Sequence, residues 1–244
     1  MQDRGWSNWR GFVGGGLAAL ALTACSDNAG DTATVPVTET ERTSESDLPE
    51  IPVMGPERRI LAFGDSLFAG YGLAENDGYP ERLEAALRVG GINARVIDAG
   101  VSGDTSAAGR QRLAFTLDAQ EEKPDLFILE LGGNDLLRGL SPDETRANFV
   151  AMLDELKSRN IPVLIMGMRA PSNYGGEYQQ QFDALYGELA QEYGASLIPF
   201  WLEDIYQDQS LFLDDRIHPN AEGIEALVAS TLDEVKGALP EVEG

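Results

Sequence analysis

The chain has 244 residues, 43% of them hydrophobic, and carries one cysteine and one histidine. A lone cysteine cannot close an internal disulfide, and a lone histidine excludes the His-rich metal sites. The 41 acidic residues against 18 basic ones leave a net charge of −23; such a surface repels phosphate polyanions, which argues against nucleic acid as a partner.

The first segment reads as an address. Arg4 and Arg10 precede an apolar stretch from Phe12 to Leu22, long enough for the core of a signal peptide and too short to span a bilayer. Residues 1–24 are therefore expected to be removed. Leu22-Thr23-Ala24-Cys25 follows directly and resembles the lipobox of bacterial lipoproteins, where cleavage before the cysteine follows acylation of its thiol. The resemblance implies lipidation at Cys25 and a membrane anchor in the bacterial cell envelope; Ser26 after the cysteine implies the outer membrane, facing the periplasm. Several acyl chains, at ~0.8 kcal/mol per buried CH₂, anchor firmly where one chain holds weakly. Residues 25–56 are rich in Thr, Glu, Ser, Asp and Pro, without the apolar periodicity that could offset the entropy of ordering. They read as a disordered acidic tether with a reach of roughly 30 Å.

From residue 57 to residue 244 the pattern is that of one folded domain. Short apolar runs, Ile60 to Phe63, Ala94 to Ile97, Leu126 to Leu129, Val163 to Met166 and Leu197-Ile198, alternate with longer amphipathic stretches. Helices are expected over Pro80 to Arg88, from the capping box Ser141-Pro-Asp-Glu144 to about Ser158, over Tyr178 to Tyr193 and over Ala221 to Lys236. The alternation predicts an α/β fold with three α/β/α layers around a mostly parallel, about five-stranded, flavodoxin-like sheet. No fixed-period repeat and no second linker divides it.

In such a sheet ligands bind beyond the carboxyl ends of the strands, and the segments that follow these runs are unusual. They read Gly64-Asp65-Ser66-Leu67, Gly100-Val-Ser102-Gly103-Asp104 and Gly132-Gly133-Asn134-Asp135, with Asp215-Arg-Ile-His218-Pro219 near the end of the chain. A serine acts as a nucleophile only when a base within hydrogen-bond reach takes its proton and a third group fixes that base. His218 is the one histidine available, and Asp215, or its neighbour Asp214, can orient it. Ser66 and Ser102 are the candidate nucleophiles. The backbone N–H groups of Ser66 and Gly103 and the Asn134 amide are candidates for an oxyanion hole. Asp65, Asp104 and Asp135 lack the spacing of a Ca²⁺ or Mg²⁺ loop, so neither a metal nor a cofactor is expected.

These four blocks, in this order, resemble the SGNH or GDSL hydrolase family. The resemblance makes Ser66 the nucleophile, Gly103 and Asn134 oxyanion-hole residues with Ser66, and Asp215 with His218 the remaining triad pair. The wider stretches 132–140, 168–175 and 214–220 look like the thioesterase I, lysophospholipase and arylesterase branch of that family, with Ala170 standing where a bulkier aliphatic residue is expected. The implied activity is hydrolysis of small acyl esters or thioesters. Leu137, Tyr174 and Ile217 flank the loops and are expected to wall the acyl pocket. The same triad could serve an acyltransferase or a carbohydrate deacetylase, and a non-catalytic acyl-binding envelope lipoprotein is the reading from outside enzymology.

Overall fold

The structure, a computed structural model, describes residues 52–241. The expected signal peptide, Cys25 and the tether up to residue 51 lie outside the described residues.

Five parallel strands form the sheet: β1 (Arg58–Gly64), β2 (Ala94–Gly100), β3 (Leu126–Glu130), β4 (Val163–Met166) and β5 (Ser196–Ile198), in the spatial order β2-β1-β3-β4-β5. Parallel strands covered on both faces read as continuous apolar runs. Accordingly, every residue of Leu-Phe-Ile-Leu-Glu in β3 is buried, as is β1 from Ile60 onward. The helices are α1 (Tyr79–Val89), α2 (Ser106–Asp118), α3 (Gly133–Leu137), α4 (Pro142–Ser158), α5 (Gly176–Tyr193) and α6 (Ala221–Ala238). α1 packs on α6, and α2, α4 and α5 pack in succession. With right-handed crossovers, a chain that first steps from β1 outward to β2 and then returns past β1 to β3 must place these two groups on opposite faces. The expected α/β/α layering and flavodoxin-like order are what the fold has.

The strands and the four expected helices fall where the apolar pattern places them, to within two residues at most ends. The capping box at Ser141 is complete, with Glu144 N–H donating to Ser141 Oγ and Ser141 N–H donating to the Glu144 carboxylate. Two helices were not expected. α2 carries a glycine in its interior and leaves Phe115 exposed, so its apolar residues mark no clean stripe. α3 is five residues long, too short for a periodicity to register.

α2 is held at its start by a buried polar cluster. Thr105 caps it, its Oγ1 accepting from Ala108 N–H. The Asp135 side chain accepts from Ser106 N–H at 2.7 Å and from the Ser106 hydroxyl, and Thr145 Oγ1 of α4 donates to it at 3.1 Å. Three elements, α2, α3 and α4, thus share one fully buried acid. Asp135→Ala would strand those donors away from water, at a cost of about 3 kcal/mol. Urea denaturation should show the midpoint falling with an unchanged slope, and a midpoint within error of the wild type would contradict this role.

Candidate active site

The order of the strands decides where the site lies. β1 has β2 on one side and β3 on the other, reached by connections that run in opposite directions, and the carboxyl ends of such a pair open a crevice. The register aligns Phe63 with Leu129 and Gly64 with Gly100, so the segments leaving β1, β2 and β3 emerge side by side. They carry Ser66, Gly103 and Asn134. The fourth block arrives from the far end of the chain, in the turn between the short 3₁₀ segment Gln209–Leu211 and α6.

That turn is rigid for local reasons. Asp215 Oδ1 accepts from Ile217 N–H at 2.9 Å and His218 N–H at 3.0 Å, while Leu213 N–H donates to the His218 carbonyl at 2.8 Å. Asn220 then caps α6 through Gly223 N–H. The other Asp215 oxygen lies 2.7 Å from His218 Nδ1, and His218 Nε2 lies 2.8 Å from Ser66 Oγ. Two hydrogen bonds in series therefore join a carboxylate, an imidazole and a hydroxyl across 152 residues of sequence. Tyr71 shields the assembly, its ring centroid 4.4 Å from that of His218. Asp214 has no part in the chain of bonds. Partial desolvation raises the Asp215 carboxyl, but the bonds from the His218 ring, His218 N–H and Ile217 N–H outweigh it, and the group is brought down to about 2. It is a carboxylate at any pH at which the fold would work.

Opposite the hydroxyl lie the open donors. Among the described residues, neither the Ser66 nor the Gly103 amide hydrogen is taken up by another group. Gly103 has φ +85°, a left-handed conformation that favours glycine, and Arg138 Nη2 holds its carbonyl at 2.6 Å. Asn134 Nδ2 donates one hydrogen to Asp65 at 2.8 Å, which fixes the amide with its second hydrogen free.

Behind Asn134 stands a pair of acids. Asp65 accepts from Leu67 N–H at 3.0 Å as well as from Asn134, and its own N–H donates to Glu130 Oε2 at 3.3 Å. Glu130 ends β3 fully buried, and its Oε1 has no hydrogen-bond partner. Burial raises the Glu130 carboxyl well above the usual carboxylate range, and the Asp65 charge adds to the rise. Burial also raises Asp65, against the donors Leu67 and Asn134 and the nearby His218, which lower it. Those donors settle the negative charge on Asp65 and leave the proton on Glu130. Sequence reasoning missed both as supports; the one signal was an acid closing an otherwise apolar strand.

The four blocks open onto a cavity of about 530 Å³. Ser66, Gly103, Asn134 and His218 line it, together with Ser102 and apolar side chains such as Leu136, Met168, Phe200 and Leu202. Of the expected pocket residues, Leu137 and Ile217 line it and Tyr174 does not. The Tyr174 hydroxyl donates to the Leu136 carbonyl at 2.9 Å, so that tyrosine braces the wall from behind. Ala170 is also away from the cavity, its N–H donating to Asp183. Of the three aspartates with a possible metal role, Asp104 pairs with Arg112 at 2.6 Å, Asp65 holds Asn134 and Asp135 holds α2.

The Glu130 proton has a thermodynamic consequence. A carboxyl that stays protonated in the fold but ionises near pH 4.3 when unfolded stabilises the fold fully below that pH. The contribution is lost as pH rises toward the folded-state value. Glu130→Gln replaces the acid by a permanently neutral group, so stability should fall less steeply with pH than in the wild type between pH 5 and 8. The difference in slope should reach up to about 1.4 kcal/mol per pH unit. Denaturation midpoints across that range would measure it, and identical slopes would show Glu130 to be ionised in the fold.

The geometry can be set beside known proteins. A model of the GDSL-like lipase/acylhydrolase family matches residues 62–226. Esterase TesA of Pseudomonas aeruginosa is 39% identical over 160 residues, which cover 66% of this chain and 79% of that one. Thioesterase 1/protease 1/lysophospholipase L1 of Escherichia coli K12 is 37% identical over 163 residues, covering 67% of this chain and 76% of that one. Among solved structures, AlinE4, an SGNH-hydrolase family esterase, is 58% identical with a TM-score of 0.65, covering 77% of this chain and all of that one. The crystal structure of TesA gives a TM-score of 0.70 at 36% identity, with coverages of 75% and 100%. The chain belongs to the GDSL-like lipase/acylhydrolase, or SGNH hydrolase, family of ester-hydrolysing serine hydrolases.

Proposed function

We propose that the protein hydrolyses acyl esters or thioesters through an acyl-enzyme, with Ser66 as nucleophile, His218 as general base and then acid, and Asp215 orienting His218. The observation that carries this reading is the pair of hydrogen bonds linking Asp215, His218 and Ser66 at the mouth of an apolar cavity. His218 Nε2 takes the Ser66 proton as Oγ bonds to the substrate carbonyl carbon, and Asp215 holds the imidazole in the tautomer this requires. The oxyanion is stabilised by Ser66 N–H, Gly103 N–H and the free hydrogen of Asn134 Nδ2, each worth about 3 kcal/mol in the transition state. The tetrahedral adduct collapses, His218 gives the proton to the departing oxygen or sulfur, and water repeats the cycle to release the acid and restore Ser66. Each step conserves protons without a metal or a cofactor.

The apolar walls suit an acyl chain better than an acetyl group alone, which supports the thioesterase, arylesterase and lysophospholipase reading over a carbohydrate deacetylase. The lipobox-like segment supports a further proposal, that residues 1–24 are removed and Cys25 is lipidated. The domain from residue 57 is then tethered at the bacterial outer membrane by residues 25–56.

Ser66→Ala and His218→Ala should each lower kcat for a short-chain aryl ester by about 10⁵ or more, and Asp215→Asn by up to about 10⁴ with the fold intact. Near-full turnover by Ser66→Ala would end the assignment. A fluorophosphonate probe should label the wild type and not Ser66→Ala, which separates a hydrolase from a silent binding protein. For the anchor, fractionation of cells producing Cys25→Ser should find the domain released from membranes, and unchanged retention would refute the lipidation.

A further inference from the structure

The charge on the cavity walls runs against the charge of the molecule. The chain holds 41 acidic and 18 basic residues, yet the charged side chains lining the cavity besides His218 are Asp65, Arg169 and Arg216. Asp65 is 2% exposed and already bonded to Leu67 and Asn134. What a ligand at the mouth meets is therefore two guanidinium groups in an otherwise acidic protein.

Arg216 is the more telling of the two. Among the described residues, Asn160 and Arg216 are the non-glycine positions with positive φ, and Arg216 lies at +59°. Asparagine adopts this region readily, whereas arginine is strained there. The Asp215–His218 turn imposes the conformation, so glycine would suit the backbone better, and the long cationic side chain is held in spite of it. Strain of this kind gathers at functional sites. The Arg216 guanidinium makes no hydrogen bond or ion pair with any described residue. Arg169 lies over the Phe200 ring at 5.1 Å and meets Glu203 at 3.3 Å, both partners of that pair being about half exposed, a contact weak enough to yield to a better anion.

We propose that Arg216, assisted by Arg169, is a specificity-determining residue that recognises a negative charge on the leaving-group half of the ester. The inference rests on the triad reading above: His218 delivers its proton to the departing atom, so the leaving group lies on the His218 side, and Arg216 projects from the same turn two residues earlier. An arginine fork matches a carboxylate or phosphate in two hydrogen bonds. The substrate class is therefore an amphiphilic ester or thioester, its acyl chain against Leu136, Met168 and Phe200 and its anionic head at the two arginines. Solvent screening over about 8 Å keeps the distant acidic surface from cancelling this local attraction.

The test uses two aryl esters with the same acyl chain, one with a neutral nitrophenol leaving group and one with a carboxylate added to the ring. The measured quantity is the ratio of their kcat/KM values, anionic over neutral, in each enzyme. A general loss of activity and the intrinsic difference between the leaving groups both cancel when ratios are compared. Arg216→Gly, which fits the observed φ and so preserves the turn, should lower the ratio about tenfold, mostly through KM. Arg169→Gln should lower it less, and Arg216→Lys, which keeps the charge without the fork, should recover part of it. Rising salt should reduce the ratio in the wild type and leave it nearly flat in Arg216→Gly. An equal ratio in wild type and Arg216→Gly at low salt, with both enzymes active, would overturn the proposal and leave the triad standing; a wild type inactive on both esters would overturn the triad reading instead.

Discussion

The hydrogen bond between His218 Nε2 and Ser66 Oγ is the one link at the site that depends on the whole fold. Asp215 and His218 are already locked to each other within a four-residue turn, so their mutual geometry needs little from elsewhere. The serine, in contrast, leaves β1, between β2 and β3, and the imidazole arrives after the fifth strand. Bringing them to 2.8 Å requires the strands to pair in register and α6 to dock against α1, because α6 fixes the exit of the turn through its Asn220 cap. Reactive geometry is in this sense a readout of correct packing.

The side facing the Ser66 hydroxyl depends on the same sheet in a different manner. Ser66 and Asn134 follow neighbouring strands, and the Asp65 carboxylate bridges them by accepting from the amide. Gly103 follows β2 on the other flank and is tied to α3 by Arg138. Each donor is thereby held in place by the fold, and in the proposed mechanism that is the condition under which such groups stabilise developing charge without reorganising. The cavity adds low polarity from Leu136, Met168, Phe200 and Leu202, beside which such donors act more strongly than they would in water.

Much of this was legible in the sequence, and the reasons are physical. Strands buried on both faces announce themselves as apolar runs, and β1, β3 and β4 are of that kind. The capping box at Ser141 is a local pattern that tertiary contacts did not alter. The blocks holding Ser66, Gly103, Asn134 and His218 stood out because they follow strands, and the structure gathers them around one cavity. α2 could not be read, since its burial depends on Gly109 letting the helix approach Leu131 and Phe63 closely, which no periodicity encodes. Tyr174 was placed on the wrong side of its wall, because its neighbourhood is legible from sequence and the direction of its side chain is not. Glu130 was missed for a related reason: its meaning comes entirely from Asp65, 65 residues away.

Several departures from regular construction share a location. A protonated acid at the end of a core strand, a second acid nearly sealed from solvent, an arginine in a left-handed turn and a loop glycine at φ +85° all lie within or directly behind the cavity wall. Others lie away from it, among them Asn160 at φ +53° and the fully buried Asp135. A fold can tolerate such costs only where the surrounding packing over-determines the conformation, and here β1, β3 and the closed Asp215–His218 turn supply that rigidity. Glu130 illustrates the trade. Leucine in its place would suit the strand better, but it would leave Asp65 N–H without its acceptor, and with it would go the constraint that keeps Asp65 aimed at Asn134. The acid is a burden to the core and a support to the site, and the site has set the residue.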